Sequence, residues 1–300
     1  MSSGNITMTT TSDTPVASIV VPSFNRPKQL AACLKALTRQ EGITYEVIIV
    51  DDGSPTPLEP ICAQYSDIVT CIRQDNAGPA AARNRGVDEA RGSFVALTDD
   101  DCQPEPTWLA KLVEAHAGRE DVMVGGRVEN GLPRDVCATA SQDLCDYLYQ
   151  YFDAASGDAP FFTSNNIGLS RTAFKKIGGF DQTFPLAAGE DRDFGLRWRE
   201  QGGQLVYVND AVINHFHAMT LSKFWRQHSN YGRGAHHLHG VLAARGSDTP
   251  KREPLGFYIN LVLHPLKARG LRGIAHAALM ALSQFAMVNG YSRENRASRN

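Results

Sequence analysis

The sequence predicts an α/β fold, with a mostly parallel central sheet covered by helices and a helical C-terminal extension. Three observations carry that prediction. Short β-branched runs alternate with helix-like stretches from Ala17 to about residue 100, the pattern of strands buried on both faces. The 300 residues are 42% hydrophobic and 21% charged, which supplies one large core or two small ones. Beyond residue 220 the strand pattern stops, and the chain becomes first basic and aromatic, then apolar.

Taken in order, the N-terminal "MSSGNITMTTTSDTPVAS" is polar and rich in Ser and Thr, so residues 1–16 are expected to be a disordered tail without an export signal. "ASIVV" (17–21), "EVIIV" (46–50), "IVTCI" (68–72) and "FVALT" (94–98) fit buried strands. "PKQLAACLKALTRQ" opens with a proline suited to the first helical turn and places Leu30, Cys33, Leu34 and Leu37 on one stripe. "PAAARNRGVDEARG" opens the same way at Pro79 and is expected to stop at Gly92, completing a βαβαβαβ half-sheet. In the second half, "SQDLCDYLYQYF" has helical spacing, "FFTSNNIGLS" (161–170) resembles a strand, and "EDRDFGLRWREQGG" is a helix stopped by Gly202 and Gly203 before the strand "QLVYV". The expected organisation is a catalytic domain over 17–220 and a helical extension over 221–300.

Composition removes several classes of function. A net charge of -2 gives no global attraction to nucleic acid or to an anionic membrane. Six cysteines stand singly at 33, 62, 71, 102, 137 and 145, with no C-x-x-C pair, and are expected to be reduced thiols in a cytoplasmic protein. There is no G-x-x-x-x-G-K-[ST], and "YGRGAHHLHG" fails the dinucleotide pattern because His237 takes the third glycine position. Neither H-E-x-x-H nor G-x-S-x-G occurs.

Ligands of open α/β sheets bind outside the carboxyl ends of the strands. Here those ends are "PSFNR", "DDGS", "RQDNAG" and "DDDC", four polar termini in succession, with Arg26, Arg73, Arg83 and Arg85 close in sequence. Strand-end carboxylates accept hydrogen bonds from N–H groups and ribose hydroxyls and bind hard divalent cations. A nucleoside diphosphate offers all of these partners. Phe24 is therefore expected against the base, Asp52 at the base or ribose, and Asp99 and Asp100 at the ribose or in support. Asp101 is expected to hold Mg²⁺ or Mn²⁺, the positive charge that lets three adjacent aspartates coexist.

The blocks "SIVVPSFNRPKQLAACLKAL", "EVIIVDDGS", "NAGPAAARNRG", "FVALTDDDCQPEPTWL", "SNNIGLSRTAFKKIGGFD", "GEDRDFGLRWREQG" and "AVINHFH" follow one another in the order seen in family 2 glycosyltransferases, which this chain resembles over residues 17–220. The resemblance implies the GT-A fold, a Rossmann-like sheet, and an inverting transfer of sugar from a nucleoside diphosphate to an acceptor hydroxyl with a divalent metal. It implies that "DDD" is the D-x-D element and that Asp191 of "GED" is the general base, supported by Glu190. His215, or His217 two residues further on, would complete the metal shell, or His215 would contact phosphate. Pro22, Asn25, Arg26, Gly78 and Arg83 are expected beside the donor. Because Asp191 starts a helix, whose dipole stabilises its anion, burial or the neighbouring Glu190 and Asp193 must offset that effect if it is to act as a base.

UDP and dTDP donors fit best, since uracil and thymine show the same imide N–H to Asp52; the acceptor is expected to be a glycan or glycolipid of bacterial-type polysaccharide synthesis. Alternatives are a sugar nucleotidyltransferase, which would need a glycine-rich phosphate loop where "PSFNRPKQ" stands, and a non-catalytic carbohydrate-binding protein. His228, His236, His237 and His239 show no zinc spacing and are expected on a solvated or acceptor-facing helix. Trp108 and Trp198 are expected in the core, and Trp225, between Lys223 and Arg226, against a sugar or at an interface. The stretch "IAHAALMALSQFAMVNG" is interrupted by polar residues and shorter than a spanning helix needs, about 20 residues. It is expected to pack on the catalytic domain, form a homodimer, or lie peripherally on the inner face of the membrane.

Overall fold

The structure, a computed structural model, describes residues 14–152, 161–248 and 252–298. The expected tail falls almost wholly outside them. Strands β1 (Ala17–Ser23), β2 (Tyr45–Asp51), β3 (Val69–Arg73) and β4 (Phe94–Thr98) alternate with helices α1 (Pro27–Leu37), α2 (Glu59–Cys62) and α3 (Gly78–Glu89), as the half-sheet pattern predicts. They lie side by side in the order β3-β2-β1-β4, all parallel. Then follow β5 (Cys102–Pro104), α4 (Trp108–His116), β6 (Val122–Asn130), α5 (Val136–Tyr151), β7 (Asn166–Ser170), α6 (Arg171–Lys176), α7 (Glu190–Glu200) and β8 (Gln204–His215). These strands extend the sheet to β3-β2-β1-β4-β7-β6-β8-β5, with β7 antiparallel to both of its neighbours and β5 antiparallel to β8.

The sheet is buried on both faces because its strands alternate two apolar sets. Ile19, Val21, Val47, Ile49, Ala96 and Val124 face α1 and α4, while Val20, Ile48, Val95, Leu97, Met123 and Leu169 face α3, α6 and α7. Trp108 and Trp198 are buried, as expected.

Several local expectations need correction. β6 was not anticipated: "VMVGGRVEN" carries two central glycines that hide its alternation, yet both are required by close packing. A Cβ on Gly125 would lie 2.3 Å from the Phe162 ring, and one on Gly126 2.3 Å from the Ala211 carbonyl. The strand expected over 161–170 is confined to Asn166–Ser170. Helix α5 begins earlier than its apolar spacing suggests, because the Asp135 carboxylate accepts the Cys137 and Ala138 N–H groups as an N-cap. Gly92 does not stop α3, which ends at Glu89. Instead its missing side chain lets the chain cross β1, where a Cβ would lie 2.6 Å from the Ala17 carbonyl carbon.

Three helices follow the sheet: α8 (Leu221–Arg245), α9 (Leu255–Arg269) and α10 (Ile274–Ala297). α8 and α10 touch backbone to backbone. A Cβ on Gly232 would sit 1.9 Å from the Met287 carbonyl oxygen, and one on Gly290 1.9 Å from that of Ser229. Two buried carboxylates join these helices to the rest. Asp193 of α7 accepts from Arg245 of α8 at 3.0 Å, and Asp143 of α5 takes a two-pronged pair from Arg269 of α9 at 2.7 and 2.8 Å. His228 is also a correction. It is fully buried between Phe224 and Tyr231, with neither ring nitrogen hydrogen-bonded among the described residues, and is not on a solvated face.

Candidate active site

The carboxyl ends of β1, β2 and β4 meet the end of β8, and their side chains form one connected polar network. Past β1, Asn25 holds a positive φ of 55°, a conformation tolerated by asparagine, and its N–H donates to Ser54 Oγ at 2.8 Å. That bend leaves the Phe24 ring 46% exposed at the rim, so Phe24 is not a core residue. Pro22 is half-buried in β1, opposite Val50. Arg26 then turns inward, its Nη1 donating to Asp100 Oδ1 at 3.1 Å and to Asp101 Oδ2 at 2.9 Å.

The two aspartates of "DDGS" do different work. Asp51 is structural, accepting the Ser54 and Leu58 N–H groups and Arg73 Nη1. Asp52 faces the cleft side of the turn; its Oδ1 accepts from Ala77 N and Gln74 Nε2 and its Oδ2 from Gly78 N. Gly78 begins α3 with φ 86°, so the loop after β3 delivers two backbone donors to one carboxylate. Arg73 and Arg85 leave the expected cluster. Arg73 is occupied by Asp51, and Arg85 pairs with Glu89 on the exposed face of α3.

The three adjacent aspartates have three distinct environments. Asp99 is partly exposed and accepts from Arg83 Nη2 at 2.7 Å. Asp100 is buried, held by Ser23 Oγ at 2.6 Å and by Arg26. Burial pushes its carboxyl up to about 6, against the pull of Arg26 and Ser23. Asp101 is buried as well, and burial alone would raise it. Hydrogen bonds from His215 Nε2 at 3.2 Å and His217 Nδ1 at 3.4 Å, with the Arg26 charge, outweigh that and hold it well below the ordinary carboxylate range. His215 is raised in turn, its loss of solvent exceeded by its bond to Asp101. The pairing of Cys102 with His215 between β5 and β8 brings these groups together.

Among the described residues, the Asp101, Cys102 and His215 ligand atoms all lie within 4.8 Å of one another. Burial, reinforced by Asp99 and Asp101, holds the Cys102 thiol well above its usual value. Asp101 and His215, with His217 alongside, therefore remain as the oxygen and imidazole donors, a mixed set that suits Mn²⁺ better than the oxygen-seeking Mg²⁺.

Across the cleft, α7 starts after Gly189 at φ 96° and presents Glu190 and Asp191 in its first turn. Arg83, 4% exposed, lies between Asp99 and Glu190 Oε1, which is 3.6 Å from its Nη1. Among the described residues, its Nε and Nη1 and the Glu190 Oε2 have no hydrogen-bond partner. Burial, then the adjacent Asp191 charge, lifts Glu190 to about 7 although Arg83 opposes. Burial likewise raises Asp191, against Arg192 and Arg83. Desolvation thus offsets the helix dipole at Asp191. Asp193 does not contribute, since it points into the core and is neutralised by Arg197 and Arg245. The Asp191 charge is felt at Cys145 and Tyr149 of α5 and at Tyr231 of α8, so the first extension helix forms part of the wall beside it.

Of the expected residues, the structure joins Arg26, Asp100, Asp101 and His215 in one cluster and Arg83, Asp99 and Glu190 in a second, while Asp52 and Gly78 form a third. Ser23 and Gln74 are not among the expected site residues, and His217, the expected alternative to His215, stands beside it on Asp101. Ser23 and His217 each sit within two residues of a strand end, and that position is the signal that finds them.

The sheet order and this acidic rim define the GT-A fold. The mannosyltransferase PcManGT from Pyrobaculum calidifontis, solved with GDP-Man and Mn²⁺, superposes with a TM-score of 0.62 over 95% of this chain and 76% of its own, at 18% identity. GalNAc-T7, solved with UDP, GalNAc and Mn²⁺, gives a TM-score of 0.56 over 84% and 55%, at 13% identity. Residues 18–178 match the model of glycosyl transferase family 2, and the chain belongs to that family. Its relatives include the glycosyltransferase AglE of Haloferax volcanii, 27% identical over 68% of each chain. The pre-mycofactocin glycosyltransferase of Mycobacterium tuberculosis is 30% identical over 79% of this chain and 49% of its own. The chondroitin synthase of Escherichia coli is 28% identical over 66% of this chain and 34% of its own. The chain thus spans about two thirds of the archaeal relative but only a third to a half of the other two. It is a glycosyltransferase.

Proposed function

We propose that this enzyme transfers a sugar from a nucleoside diphosphate, UDP or dTDP in preference, to a hydroxyl of a glycan or glycolipid, with inversion at the anomeric carbon. The observation that carries the reading is the convergence of Arg26, His215 and His217 on the single buried carboxylate of Asp101, at the strand ends where a diphosphate would lie. Asp101 and His215 would hold a divalent cation, which when bound neutralises charge on the diphosphate leaving group. The partnered structural neighbours, both solved with Mn²⁺, support that assignment.

The chain's own groups account for the remaining chemistry. Phe24 offers a ring face to the base. Asp52, with three N–H donors on two oxygens, keeps acceptor capacity for an imide N–H or ribose hydroxyl. Pro22 and Asn25 shape that rim, and Gly78 closes it. Asp99 and Asp100 receive ribose or position Arg83 and Arg26. The unpartnered Nε and Nη1 of Arg83 are donors awaiting sugar or phosphate oxygen. Asp191 takes the acceptor proton as the hydroxyl attacks opposite the leaving group, and its raised basicity suits that task. Glu190 supports it. The catalytic unit spans 17–220, and the extension from 221 supplies the acceptor side through Tyr231.

The test is the anomeric configuration of product by NMR, with two variants. Asp191→Asn is expected to abolish transfer while leaving donor affinity within a few-fold, and Asp101→Ala to weaken donor binding. Retention of configuration, or the reverse split between the variants, would overturn the roles.

A further inference from the structure

Net positive charge and exposed apolar surface are both concentrated in the C-terminal extension. Residues 255–300 hold six Lys and Arg against one Glu, in a chain whose net charge is -2. By length and composition, residues Leu255–Ala297 are apolar enough to include a membrane span, and the qualifying window is only 28% buried. A crossing orientation would strip α10 of its contact with α8, where Gly232 and Gly290 bring the backbones together. The exposed ridge instead lies along the helix. Ile274, Phe285 and Val288 are 57%, 70% and 65% exposed, and with Ala278 and Ala281 they recur at spacings of four and three residues. On α9, Leu255, Ile259 and Leu263 form a second exposed row at spacings of four.

At the C-terminal end of the α10 ridge, Arg293 meets α8 across a cavity of about 280 Å³ lined by Trp225, Arg226, Ser229, Asn230 and Arg233. Arg233 pairs with Glu294. Arg226 and Arg293 have no ion pair among the described residues. Two free guanidinium groups flanked by hydroxyl and amide donors suit a phosphate, and an exposed indole beside them suits the boundary between headgroups and acyl chains.

We propose that this extension docks on an anionic bilayer surface. The α10 ridge enters the interface, and the α8–α10 arginine pocket takes the phosphate of one lipid headgroup. Basic flanks beside an exposed apolar helix face select a charged lipid surface over a second copy of this equally basic face. The inference stands apart from the transfer reaction, since none of these residues belongs to the catalytic cleft.

The purified full chain is to be sedimented with vesicles of phosphatidylcholine, alone or mixed with phosphatidylglycerol. Binding is expected only to the mixed vesicles, and to weaken as salt rises. Arg226→Ala and Arg293→Ala should each reduce partitioning about fivefold, and Phe285→Ser with Val288→Ser should abolish it. An unchanged melting temperature shows that these exposed-site variants fold. Equal or absent binding to the two vesicle types would overturn the proposal, as would variants that bind like the parent. A dimer seen by light scattering that Phe285→Ser dissociates, without vesicle binding by the parent, would assign the face to self-association instead.

Discussion

Adjacent carboxyl groups in this protein are given different tasks by their surroundings. Glu190 and Asp191 are neighbours in one helical turn; loss of solvent raises both, and the Asp191 charge raises Glu190 further. With Asp191 as the proposed base, only its ionised carboxylate accepts a proton, so activity is expected to fall as pH drops through the pair's raised values. The acid limb of kcat/KM is therefore expected above the ordinary carboxylate range, and Glu190→Gln, which removes the neighbouring charge, should move it to lower pH. A limb unchanged by Glu190→Gln would separate the pair from the base. At this scale the sequence located the acidic groups and could not rank them. "DDD" shows three equal aspartates, whereas Asp99 faces Arg83, Asp100 is raised to about 6 by burial, and Asp101 is fixed as an anion. Those differences come from Ser23, Arg26 and His217, distant in sequence and joined only by strand pairing.

Two element-scale features hold the helices of the extension to one another. Where α8 crosses α10, Gly232→Ala would force a methyl against the Met287 carbonyl and cost roughly 3 kcal/mol, measured by urea unfolding. An unaffected midpoint would show that the helices slide apart freely. His228 makes the same layer sensitive to acid. Burial lowers its pKa to about 4, so it is neutral in the fold but protonated in the unfolded chain below about 6.5. Stability is then fully present above that range and falls by roughly 3 kcal/mol as pH drops toward 4. His228→Leu should flatten that slope between pH 7 and 5, and an identical slope would refute the assignment. Elements with regular periodicity, such as α1 and the first four strands, were legible in the sequence. β6 was not, because Gly125 and Gly126 serve Phe162 and Ala211 across the sheet, and β5 is only three residues ending in proline. The burial of His228 was equally hidden, since a polar ring and the glycines 232 and 234 occupy positions on the buried face of α8 where the sequence shows no apolar side chain.

At the scale of the whole molecule, one sheet places an acidic rim at its strand ends, and α7 and α8 lie across the cleft from it. The parallel half supplies Phe24, Asp52 and the three aspartates, and the mixed half supplies Asp191 and the histidines. The central claim is that these halves enclose a metal-dependent nucleoside diphosphate site. It is tested most directly by calorimetric titration of the full chain with UDP, dTDP and GDP, each with Mn²⁺ and with EDTA. Saturable binding of one uracil or thymine diphosphate, lost with EDTA and in Asp101→Ala, is the predicted result; binding of none of the three, or binding indifferent to both metal and Asp101, would contradict it.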